Sequence, residues 1–135
     1  MLSRTLALAV LPLALAALPA CKAQQRVQGD RGLVASYSGF SLSADLPAEA
    51  RVPAVVAAAE QTLRARGYTI DSNESTEESG RIIARPPRTN DPYPRLVVGV
   101  TASGDASHIT LTYQPLGDQE LCRSVLDGIL SRLGL

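Results

Sequence analysis

Ile109-Thr110-Leu111-Thr112-Tyr113 decides the fold class. On an extended chain Ile109, Leu111 and Tyr113 fall on one side and the two threonines on the other. That is the two-residue period of a strand with one buried face. One apolar face and one threonine-rich face mean an antiparallel sheet covered on a single side. The cover follows directly. From about Asp118 to Leu133, the residues Leu121, Cys122, Val125, Leu126, Ile129, Leu130 and Leu133 form a broad apolar stripe at helical spacing. Gly117-Asp118-Gln119-Glu120 supplies a break and early acidic residues that suit the positive end of that helix.

Working back toward the N-terminus, Leu96 to Thr101, Arg81 to Arg85 and the alternation around Tyr68 and Ile70 read as three more strands. Ser72 to Gly80 is polar, carries Glu74, Glu77 and Glu78, and reads as a loop. Val52, Val55, Val56, Ala59 and Leu63 recur at helical spacing through Arg66, with Gly67 just past the last turn. Pro53 is harmless in a first turn, so the regular helix starts near Val52 after an irregular turn. Phe40, Leu42, Ala44 and Leu46 alternate with Ser41, Ser43 and Asp45, giving the first strand. The expected fold is α+β: an antiparallel sheet of four to five strands with two amphipathic helices on one face, in the order β-α-β-β-β-β-α.

The N-terminus has a different character. Arg4 is followed by an apolar run from Leu6 to Leu18 and then Pro19-Ala20-Cys21-Lys22. A positive start, about a dozen apolar residues and a small residue before a cut are the three regions of a secretory signal, and the run is too short to span a bilayer. Leu18-Pro19-Ala20-Cys21 resembles the lipobox of bacterial lipoproteins, with Pro19 departing from its usual residue. The resemblance implies cleavage after residue 20, a diacylglyceryl group on the Cys21 thiol and a further acyl chain on its amine. Two or three acyl chains make a firm anchor. Position 22 is Lys rather than Asp, which by the same resemblance implies the inner leaflet of the outer membrane, facing the periplasm. The alternative is a periplasmic or secreted soluble protein, cut after Ala23 or cut earlier with Cys21 paired to Cys122. Residues 21–32 read as the lipidated cysteine and a flexible polar tether reaching roughly 40 Å, and residues 33–135 as one domain.

The balance of 13 basic and 13 acidic residues argues against a nucleic-acid binder or a polybasic membrane surface. A chain of this size, 45% hydrophobic, holds one core without needing a metal or a disulfide framework.

Three stretches carry a family likeness: Leu63-Arg64-Ala65-Arg66-Gly67-Tyr68, Gly80-Arg81-Ile82-Ile83-Ala84, and Gly117-Asp118-Gln119-Glu120-Leu121-Cys122-Arg123-Ser124-Val125-Leu126. Together with the lipobox they resemble a family of small uncharacterised bacterial lipoproteins, with Cys122 where that family usually has a small hydroxyl residue and Val125 for its isoleucine. The strand and helix order also resembles the helix-grip domains of lipoprotein C in the outer-membrane β-barrel assembly machinery. The second likeness is architectural and implies no activity.

Few residues suggest chemistry. Cys122 lies near a helix N-terminus, where a thiol is activated, and His108, the one histidine, is a candidate base. Against this, Cys122 shares the apolar stripe and reads as a buried small hydrophobe. His108 with Asp105 and Asp91 makes a poor metal set, so no metal or cofactor is expected. The connection Arg85-Pro86-Pro87-Arg88-Thr89-Asn90-Asp91-Pro92-Tyr93-Pro94-Arg95 offers Arg88, Tyr93 and Arg95 as a partner-contact surface, with a proline-stiffened hairpin loop as the plainer reading. The expectation is a non-enzymatic, lipid-anchored envelope protein that binds another envelope component or supports envelope integrity. The alternatives are a small-ligand binder with a groove between helices and sheet, and an enzyme dependent on Cys122.

Overall fold

A computed structural model describes residues 23–135. Three strands come first: β1 (Gln24–Gln28), β2 (Leu33–Ser38) and β3 (Ser41–Leu46). Helix α1 (Val52–Ala65) leads to β4 (Thr69–Ser75), β5 (Ser79–Arg85), β6 (Arg95–Ser103) and β7 (Ala106–Gln114), and α2 (Gln119–Leu133) closes the chain. The strands form one antiparallel seven-stranded sheet in the order β1-β2-β3-β7-β6-β5-β4.

The α+β class and the two helices are as expected, but the sheet has seven strands rather than four or five. The two additional strands precede the first expected one. Part of the segment read as a tether is β1, and the reason lies on α2. Arg123 is almost fully buried. Its Nη1 donates to Gln28 Oε1 at 2.9 Å and to the Ala35 carbonyl at 3.2 Å, and its Nη2 donates to the Gln24 carbonyl at 2.8 Å. Gln28 Nε2 in turn donates to the Arg123 carbonyl and to Asp127 Oδ1. A polar strand is therefore fastened by buried hydrogen bonds, whose partners on α2 lie almost a hundred residues away. The Ser72–Gly80 segment is likewise mostly strand. β4 runs through a bulge between Ile70 and Ser72 as far as Ser75, and β5 starts at Ser79.

Both helices pack on the same face. Leu42, Leu96, Ile109 and Leu111 from the sheet meet Val55 and Leu63 of α1 and Leu126, Ile129 and Leu130 of α2 in a continuous core. α1 begins at Val52 with Pro in its first turn, preceded by a turn in which the Ala50 N–H donates to the Pro47 carbonyl. α2 is capped by Asp118, whose side chain accepts from the Leu121 N–H at 3.0 Å. The helices approach closely at Gly128, where a Cβ would lie 2.7 Å from Thr62 Cγ2. Arg66 bridges them there by donating to the hydroxyl and the carbonyl of Ser124.

Phe40 departs from its expected place. The alternation aligned it with Leu42 as an inward residue, but it sits in the turn between β2 and β3 at φ 68, and it is 55% exposed. Gly39 and Phe40 both have positive φ, the geometry of a tight two-residue hairpin.

Candidate functional site

Covering one face of a seven-stranded sheet leaves the other open, and alternation along β7 divides the two. Ile109 and Leu111 point into the core, while His108, Thr110 and Thr112 point outward. Facing them across β6 are Val97, Gly99 and Thr101, and beyond them on β5 is Arg81. These residues line an open groove of about 550 Å³ on the uncovered face. Gly99 keeps its floor low, since a Cβ there would lie 2.9 Å from Thr110 Oγ1. Its lining offers the hydroxyls of Ser75, Thr76, Thr101, Thr110 and Thr112, the Arg81 guanidinium, the Glu74 carboxylate and the His108 ring as hydrogen-bonding groups.

Arg95 and Tyr93 stand at one end of this face. Arg95 pairs with Gln114 across β6 and β7, and its Nε donates to Gln114 Oε1 at 2.6 Å. The guanidinium carbon lies 4.8 Å from the centre of the Tyr93 ring, a cation–π contact that holds the exposed ring in place. Arg88, at φ 64, is exposed in the same connection and makes no ion pair among the described residues. Arg85 is already engaged: its Nε donates to both carboxylate oxygens of Asp71, and its Nη1 donates to the Thr89 carbonyl. The Asp71 hydrogen bonds hold the Arg85 guanidinium above its ordinary range. The structure thus keeps Arg88 and Tyr93 in one loop and Arg95 at its exit, first on β6 and two residues along that strand from Val97 at the near end of the groove.

It does not bring Cys122 and His108 together. Cys122 is fully buried on the covered side, with its Sγ donating to the Leu111 carbonyl at 3.7 Å. Burial pushes its thiol up to about 11, the opposite of an activated nucleophile. His108 lies across the sheet, with its Nδ1 2.7 Å from Asp45 Oδ1; its neighbour is Asp45 rather than Asp105 or Asp91. The space between helices and sheet, where the alternative small-ligand reading puts a groove, is filled by core side chains, and the groove lies on the opposite face. Cys21 lies outside the described residues.

The groove itself was not anticipated from sequence, although the threonine face of β7 was its signal. Leu116, 77% exposed between Pro115 and Gly117, and the displaced Phe40 were also missed as surface residues. No protein-family model matches the chain, and no curated protein matches it.

Proposed function

We propose that this chain is a lipid-anchored envelope protein, held to the membrane through acylated Cys21, whose domain binds another envelope component without catalysis. The observation that carries the binding role is the uncovered sheet face, a hydroxyl-lined groove from whose Val97 end β6 leads back to Arg95 and its Tyr93 contact. The leader, the lipobox-like Leu18-Pro19-Ala20-Cys21 and the likeness to small envelope lipoproteins support the anchor and its place on the periplasmic side of the outer membrane. Separation of Cys122 from His108 by the sheet removes the one nucleophile and base pairing that the sequence offered.

Two measurements test this, the first on membrane-extracted protein and the second in cells. Intact mass should correspond to a chain starting at Cys21 with diacylglyceryl and acyl additions; an N-terminus beyond residue 21 overturns the anchor. A photo-crosslinker at Thr112 should join an envelope partner in cells. Alanine at Arg88, Tyr93 and Arg95 together should reduce that product about tenfold, while Tm moves by no more than a few degrees. An undiminished product overturns the assignment of this loop.

A further inference from the structure

All the aromatic residues of the chain, four Tyr and one Phe, lie at one end of the sheet. Tyr37 pairs with Gln24, Tyr113 pairs with Leu96, Tyr68 immediately precedes β4, and Tyr93 lies two residues before the start of β6. Phe40 occupies the hairpin turn that projects from the same end. Tyr37, Tyr68 and Tyr113 pack against the core, whereas Phe40 and Leu116 project outward. Phe40 lies against Gly117, the residue that follows Leu116, where a Cβ would lie 2.9 Å from Phe40 Cδ1 and 3.0 Å from Phe40 Cβ. Phe40 holds its place at φ 68, a backbone position that Gly or Asn fills at lower cost. The hairpin tip carries a bulky apolar group against its local preference.

The same end is where the chain leads back to Cys21. Two residues separate Cys21 from Gln24, so the two lie at most about 10 Å apart along an extended chain. Phe40 sits in the turn one strand step past Tyr37, the partner of Gln24, so its tip lies within that reach. Acyl chains on Cys21 can thus enter a bilayer level with the Phe40 tip. We infer that Phe40 and Leu116 form a bilayer-contact surface, dipping into the headgroup boundary and setting the sheet end-on to the membrane. The inference rests on the lipid anchor proposed above. Aromatic and aliphatic side chains on a lipid-tethered body favour that boundary over water. Asp91, Asp118 and Arg88 are all exposed at the same end, and charges of both signs suit a zwitterionic headgroup.

The chain has no tryptophan, so Phe40→Trp, Leu116→Trp and Val34→Trp each introduce a single reporter. Val34 is exposed on β2, pairs with Val27 and lies away from the tip. Two preparations are read in phosphatidylethanolamine and phosphatidylcholine vesicles. One is the protein extracted from membranes, its acylation established by intact mass. The other is an unacylated chain starting at Cys21 and coupled through that thiol to a maleimide lipid, with buried Cys122 left unreacted. Brominated acyl chains should remove about half of the emission at positions 40 and 116 and little at 34 in both preparations. Solvent-like, unquenched emission at 40 and 116 in the coupled preparation overturns the contact surface while leaving the anchor standing. An unmodified native mass overturns the anchor and the surface with it. Emission shielded from iodide but untouched by bromolipid places a second copy of the chain on the patch and also overturns the inference.

Discussion

Two faces of one strand behave as different materials. On β7, Ile109 and Leu111 are fully buried beneath the helices, while Thr110 and Thr112, in alternate positions, border an open groove. The covered face holds the stability of the domain, and the open face is free to vary in chemistry without unfolding it. The largest expected effect tests this contrast directly. Leu111→Ala should cost about 3–4 kcal/mol in urea unfolding, whereas Thr110→Ala, one residue away, should stay within about 0.5 kcal/mol. Equal losses would erase the distinction.

A second test sharpens the comparison at the sheet edges. β1 depends on Arg123, while β4 has no such fastening from α2 among the described residues. Burial draws the Arg123 guanidinium below its ordinary range, yet neutral carbonyls and Gln28 hold it. Arg123→Ala should cost about 2 kcal/mol by leaving those buried acceptors without a donor. Amide exchange should rise through Gln24–Gln28 and remain unchanged in β4; a uniform rise would mean that the clamp is not local.

The smallest expected effect is alkaline. Burial raises the Cys122 thiol to about 11 from an ordinary value of 9.0, so the folded state favours the protonated form. That contribution is complete below pH 9 and is lost as pH rises toward 11, because the unfolded chain releases the proton first. Tyr37, Tyr68 and Tyr113 are also raised by burial, so the thiol is isolated by difference. Cys122→Ala should lose less stability than the parent between pH 9 and 11, and parallel curves would refute the assignment.

How much of this was legible depends on where each residue finds its partner. β7, α2 and α1 are amphipathic with clear periods, and both helices begin where their proline and capping signals place them. β1 has one apolar residue, Val27, and that residue faces solvent. Nothing local marks it as a strand, because its support comes from Arg123 on the last helix. β2 hides for a different reason: Leu33, Ala35 and Tyr37 do alternate toward the core, but Val34 stands exposed between the first two and blurs the polar half of the pattern. Phe40 was misplaced because the alternation fits it equally well as a last inward residue or as a turn, and only the positive φ of Gly39-Phe40 separates the two. Arg88, Tyr93 and Arg95 could be named from residue type alone, whereas the groove beside them needed strand register, which joins residues from β5, β6 and β7.

The buried arginine also acts as a length setting. With Gln24–Gln28 zipped against β2, about 10 Å of backbone is left between position 21 and the globular body. Unzipping those five residues would release about 17 Å more. Were the chain held at Cys21 as proposed, a single guanidinium would choose between a short leash and a long one, and any event that draws Arg123 from its carbonyls would let the whole body swing clear of that attachment.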